Sequence, residues 1–300
     1  MPRTPNATVP IALLSLLLVL GQIAPLAACD IPVCEYALRY WSRSDYTVYY
    51  VHDGTEAPVD AEVNGLLRHV AEGKDGRANL RFVSVNATLG PARLTPEARY
   101  VLESNREIDK PRHVLISPKG HTVFSGRLAV NDIQALISSP KTAILADMLS
   151  RGAHGVVLLL TDSDEAQNGT ARETARKVVD ATRGTQARMG LVEVSRQDPR
   201  ELWLVRQLLA VETDLVGIRG PMVFGVYGRC HVAEPYLGKG INATNLAGLA
   251  KFMNGPCTCD IKDANLGVDL ISDWAWEAHA SGTGAPPRPT EPGGYVTFGE

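Results

Sequence analysis

The chain has 300 residues, 45% of them hydrophobic and 21% charged, which is enough apolar material for a packed core and excludes global disorder. The formal charge is −3 with a pI of about 6.2 and no basic block, which argues against nucleic acid as a partner. The length suits one large domain or two of ordinary size.

The chain begins "MPRTPNATVPIALLSLLLVLGQIAPLAAC", with a single charge at Arg3 and an apolar run from Ile11 to Leu20. That run is too short to span a membrane comfortably, and small residues follow it. Residues 1–28 therefore read as an export signal, placing the protein at the periplasmic face of a membrane or in the periplasm. Without Arg3 the chain has 29 basic residues against 33 acidic ones, a net charge of −4. The tetrad "LAAC", Leu26 to Cys29, resembles the bacterial lipobox. That resemblance implies acylation of Cys29 and membrane contact through a lipid anchor. The alternative is simple cleavage near Ala28 that leaves Cys29 a thiol. An extra helix is expected next, from Pro32 to Trp41, with Asp30 as a cap candidate.

Two buried-strand patterns then stand 110 residues apart, "YTVYYVHDG" from Tyr46 and "VVLLLTDSD" from Val156. The pairs "NLRFVSV" and "MGLVEVS", then "KPRHVLISPKG" and "GPMVFGVYGRC", repeat that offset, which marks an internal duplication. Helical stripes fill the gaps: Val59, Val63, Leu66, Leu67 and Val70 in one half, Ala171, Ala175, Val178 and Val179 in the other. Gly73 and Gly184 are placed to end these helices. A second strand follows each proline-led one, "HTVFSGRL" or "HVAEPYLG". A closing helix comes last, "NDIQALISS" running on to "ILADMLSRG", and "NATNLAGLAKFM" capped by Asn242. Each half reads β-α-β-α-β-β-α, an α/β layer with an antiparallel edge hairpin.

The expected units are residues 30–150 and 151–262, a C-terminal extension over 263–280 and a disordered Gly/Pro-rich tail over 281–300. In the extension, Val268 to Ile271 are expected to fold back on the core, with Trp274 and Trp276 open between core and docking patch.

The order of elements, with Pro111 and Pro221 opening the third strand of each half and Gly120 at a hairpin, resembles the thioredoxin fold in tandem copies. In that family the proline is cis and faces the reaction centre, so the resemblance implies cis Pro111 and cis Pro221. The arrangement is also similar to the redox-inactive halves of protein disulfide isomerases. "PVCEYALRYW" and the "GPCTC" to "NLGVDLISDW" region resemble exported bacterial proteins.

A thioredoxin-type enzyme needs C-x-x-C where the first strand meets its helix, because the helix N-terminus lowers the attacking thiol's pKa. Here those positions read "HDGTEAPVD" and "TDSDEAQNG". The second carries Asp162, Asp164 and Glu165, which suit a helix N-terminus but cannot exchange disulfides. His52 beside Asp53 offers acid–base chemistry in principle; a solvated strand end is the simpler reading.

The remaining cysteines are Cys34, Cys230, Cys257 and Cys259. Three readings stand open. One is a disulfide staple from Cys230 or Cys34 to Cys257 or Cys259, contributing on the order of 3 kcal/mol for a loop of about 30 residues. The second is a copper(I) or zinc clamp of Cys230, Cys257 and Cys259 with His231. The third is a strained Cys257–Cys259 redox pair. The expected function is non-catalytic binding or scaffolding in the bacterial cell envelope, with an envelope protein as partner and no cofactor. The alternative is a thiol-disulfide oxidoreductase-like or copper-handling protein built on Cys257 and Cys259.

Overall fold

The computed structural model describes residues 31–72, 78–104, 111–185 and 187–276. The expected export signal, Cys29, Gly73 and the expected 281–300 tail lie outside them.

The long apolar runs become the central strands. In the first half, β1 (Tyr46–His52) lies between β2 (Leu80–Asn86) and β3 (Arg112–Ile116), and β4 (Thr122–Gly126) pairs with β3. The β1–β2 pair is parallel; β1–β3 and β3–β4 are antiparallel. The second half repeats this with β5 (Gly155–Thr161) between β6 (Met189–Ser195) and β7 (Met222–Tyr227). Every residue of β5 is buried, as expected of a central strand covered on both faces, while β6 alternates as an edge strand does.

The duplication extends to register. Tyr46↔Leu80 through His52↔Asn86 matches Gly155↔Met189 through Thr161↔Ser195 pair for pair. The strand starts 46/155, 80/189 and 112/222 are 109, 109 and 110 residues apart.

The helices occupy the expected gaps. In the first half, α2 (Ala61–Glu72) follows β1 and α3 (Pro96–Ser104) follows β2. In the second, α6 (Glu165–Ala181) and α7 (Leu202–Leu209) do the same. Asp164 caps α6, its side chain accepting the Gln167 N–H at 3.0 Å.

Each half is thus a thioredoxin-like β-α-β-α-β-β-α unit, with three departures from the sequence expectation. First, the closing helix of the first half is two helices, α4 (Val130–Ile137) and α5 (Pro140–Ser150). Pro140 has no N–H to continue the ladder, and Ser139 caps the new helix by accepting the Thr142 N–H at 3.2 Å. Second, the last strand of the second half splits into β8 (His231–Val232) and β9 (Tyr236–Leu237) around Pro235, which cannot donate to a ladder. Third, the N-terminal helix α1 (Val33–Arg39) packs on the second half. It shares a buried cluster with Tyr227 and with Leu249 and Met253 of α8 (Ala243–Asn254).

The C-terminal extension also belongs to the body. After the short α9 (Cys259–Ala264), β10 (Val268–Asp269) pairs with β8, and Val268, Leu270, Ile271 and Trp276 are buried. Trp276 joins the second half's core with Trp274 packed against it, so neither forms an exposed patch. Ile271 enters the first half's core instead.

Trp203 and Ala210, from α7 and its end, also join the first half's core, where Trp203 meets the Phe124 ring at 5.2 Å. Each large apolar side chain buried there contributes about 1.5–3 kcal/mol, and α7 packs on both halves, with Leu204, Val205 and Leu208 in the second half's core and Trp203 in the first's. Among the described residues, no helix is long and apolar enough to cross a membrane.

Candidate functional site

In each half the position of interest lies where the central strand ends, beside the first helix and the loop entering the proline-led strand. Pro111 stands directly before β3 and Pro221 directly before β7.

In the first half this position is filled by a closed polar network. The Tyr50 hydroxyl donates to Asp60 Oδ2 and accepts the Ala57 N–H, both at 3.0 Å. Arg127 Nε meets Asp60 Oδ1 at 3.0 Å. On β3, His113 Nδ1 accepts the Leu128 N–H at 3.1 Å, so the ring proton sits on Nε2, which donates to Asn64 Oδ1 at 2.9 Å. Asn64 in turn donates to Glu56 Oε1 at 2.6 Å. Tyr50, Asp60, Asn64 and His113 are all buried. Burial, with a smaller push from the Arg127 charge, holds the His113 imidazole down to about 4, although the Asp60 carboxylate acts the other way. His113 is therefore a neutral, fully engaged ring.

His52 is buried too, stacked 5.5 Å from Tyr50 with Nε2 3.1 Å from Ser84 Oγ, while Asp53 is exposed. The structure does not join them as an acid–base pair.

The second half closes the same position with one carboxylate. Asp162, at the end of β5, accepts from the Ser163 N–H at 2.8 Å, Gln197 Nε2 at 3.1 Å and the Gly220 N–H at 3.1 Å. Arg196 Nη1 lies 3.5 Å away. Burial would raise this carboxyl, but the Gly220 and Ser163 N–H groups, the Arg196 charge and Gln197 outweigh it and hold it below the usual range. Because Gly220 precedes Pro221, Asp162 ties the end of β5 to the loop that enters β7.

Among the described residues no cysteine stands at the head of α2 or α6. Among the described residues Cys34, Cys230, Cys257 and Cys259 carry no disulfide. Cys34 is in α1, and burial pushes its thiol up to about 12. Cys230 occupies the β7–β8 turn at φ +62; it is fully buried, which drives its thiol far above the ordinary value. Cys257 is buried and Cys259, opening α9, is exposed.

Among the described residues no group of three or more His, Cys, Asp or Glu is placed to hold an ion. Cys230 lies in the second half's core, Cys257 in the α1–α8 cluster, and Cys259 at the surface. His231 is already engaged, with Nδ1 2.8 Å from Asp269 Oδ1 and Nε2 2.6 Å from Leu266 O.

Sequence reasoning passed over His113, Asn64, Tyr50, Asp60 and Asp269. The available signal was a polar residue at the start of an apolar run, His113 in "RHVLI" and Asp269 in "VDLI".

No protein-family model and no curated protein matches the chain. Solved structures similar to it include the zinc-bound form of human ERp44, at 10% identity and a TM-score of 0.24, over 71% of this chain and 56% of that one. Another is the first two thioredoxin domains of Saccharomyces cerevisiae Eps1p, at 12% identity and a TM-score of 0.27, over 69% of this chain and 92% of that one. A third is ERdj5, at 10% identity and a TM-score of 0.22, over 78% of this chain and 31% of that one. The chain thus spans little more than half of ERp44 and a third of ERdj5.

Proposed function

We propose that this protein is a non-catalytic binding or scaffolding protein of the bacterial cell envelope, exported and held at the membrane surface through an acylated Cys29. One observation carries the loss of catalysis. At the place where a thioredoxin-type enzyme keeps its attacking thiol, one half has the Tyr50–Asp60–Arg127 and Asn64–His113 network and the other has Asp162. Both arrangements are hydrogen-bonded and, Arg127 apart, buried, and neither supplies a nucleophile that exchanges disulfides. The export pattern of residues 1–28 and the "LAAC" tetrad support the envelope setting.

The test has two arms. Purified protein is assayed for reduction of a peptide disulfide in glutathione buffer, and the expected rate equals that of buffer alone. Turnover that disappears in Cys259→Ser would establish thiol chemistry instead. Cell fractionation then compares wild type with Cys29→Ala; loss of membrane association in the variant is expected, and equal distribution removes the anchor.

A further inference from the structure

Chain geometry fixes where an anchor at Cys29 can hold the protein. Pro32 forms an antiparallel bridge with Pro256. On either side of it the Val33 N–H donates to Gly255 O and the Cys257 N–H donates to Ile31 O, both at 2.9 Å. Ile31 also packs on the buried cluster of Val33, Tyr36, Leu249 and Met253. The backbone is therefore held to the turn after α8 from Ile31 onward. Only Asp30 separates Ile31 from Cys29, and two residues of chain span at most about 7 Å. A flexible linker of about 20 residues would spread over about 25 Å instead.

We infer that the bilayer holding the Cys29 acyl chains meets one defined end of the protein: the start of α1, the α8–α9 turn and the head of α9. In sequence Cys29 precedes the first half, yet the residues that follow it are fixed to the second. α1 shares its cluster with Tyr227 of β7 and with Leu249 and Met253 of α8. α9 lies beside α1, with the Trp41 Nε1–H donating to Lys262 O at 3.2 Å and Lys262 Nζ 4.9 Å from the Tyr36 ring centroid. Cys259 opens α9, is exposed, and stands two residues beyond the Cys257–Ile31 hydrogen bond. Two such short spans and one strand spacing keep it within about 20 Å of Cys29 at Cα. The first half lies farther out. It docks on the second through the Tyr46 end of its sheet, where the Ser44 N–H donates to Asp269, His121 Nδ1 meets Ala210 O at 2.9 Å and Lys119 pairs with Glu212. β1 then runs about 20 Å from Tyr46 to His52, which puts the exposed Asp53 at the far end. The second half is thus membrane-proximal, and the first half projects from the surface.

This orientation rests on acylation of Cys29, as proposed above, and one experiment separates the two. Lipidated protein is purified from membranes and reconstituted into phosphatidylcholine vesicles in which some headgroups carry a nitroxide quencher. A fluorescent maleimide is attached to Cys259 in the parent and to position 53 in the double variant Cys259→Ser, Asp53→Cys. Both sites are exposed, so labelling leaves the core intact. Flotation with the vesicles reports the anchor. The nitroxide lipid is expected to quench the probe at position 259 strongly and the probe at position 53 little or not at all. Insertion of about 20 Gly/Ser residues after Asp30 should keep flotation and remove most of the quenching at position 259. Protein that fails to float refutes the anchor, and this orientation with it. Protein that floats but is quenched equally at the two sites, or more at position 53, overturns the orientation and leaves the anchor standing. Quenching at position 259 that the insertion does not change overturns it as well.

Discussion

Asp269 and His231 form a buried pair at the join between the two halves, with Oδ1 2.8 Å from Nδ1. The other carboxylate oxygen accepts the Ser44 N–H at 2.8 Å, on the segment leading into β1. Leu266 O, a few residues earlier, takes both His231 Nε2 and the Tyr227 hydroxyl. A carbonyl only accepts, so Nε2 carries a proton. One C-terminal aspartate thus links the β8 edge, the C-terminal strap and the entry to the first half.

Removing one member leaves the other buried without its counterpart. Asp269→Ala should therefore cost about 3–5 kcal/mol in urea unfolding. Glu173→Gln, which breaks the exposed Lys177–Glu173 pair on α6, should leave the midpoint unchanged. A small effect at Asp269 would mean that the strap is not held through this pair.

His113 predicts a specific acid sensitivity. Its folded imidazole stays neutral down to about 4, whereas the unfolded one takes up a proton near 6.5. Between those values the unfolded state binds more protons. The contribution is therefore complete above about pH 6.5 and is lost as the pH falls toward 4, amounting to about 3 kcal/mol. Unfolding free energies of wild type and His113→Gln between pH 7.5 and 4.5 should converge as the pH falls. Parallel curves would remove His113 as the cause.

The strap also depends on a glycine. A Cβ at Gly267 would stand 2.2 Å from Val232 O, on backbone at φ +104. Gly267→Ala should destabilise by about 2 kcal/mol or more. Gly169→Ala inside α6, where a Cβ meets nothing within 4 Å, should stabilise by about 0.5–1 kcal/mol. Thermal melts of the two variants moving in opposite directions is the expected result.

Trp203 couples the halves. It is 3% exposed, packs edge-on to Phe124 and lies under the Arg206 guanidinium at 4.7 Å. Trp203→Ala should cost about 3–5 kcal/mol and split one cooperative unfolding transition into two in calorimetry. A single transition with an unchanged midpoint would show that the halves do not depend on this contact.

What the sequence disclosed follows from the range of the forces involved. The strands around Tyr50 and Leu158 were legible because a strand buried on both faces must be a continuous apolar run, and the copied offset placed their partners. The Ser139–Pro140 break was written locally but was submerged in apolar residues on either side. That α1 covers the second half was not legible, since an amphipathic stripe does not name the surface it meets. The polar networks were hidden for a similar reason. His113 finds Asn64 49 residues away and His231 finds Asp269 38 residues away, so no local pattern records either pairing. That neither "HDGTEAPVD" nor "TDSDEAQNG" holds a cysteine was legible directly, because a missing cysteine is a fact of sequence.

The central claim is that no thiol in this fold is poised to attack. Peptide-resolved alkylation of the reduced, folded protein at neutral pH tests it most directly. Among the four cysteines from Cys34 onward, Cys259 alone should react before denaturant is added, and Cys34, Cys230 and Cys257 only afterwards. Fast modification of any of those three in the native protein, at a rate showing a thiolate already formed, would contradict the account.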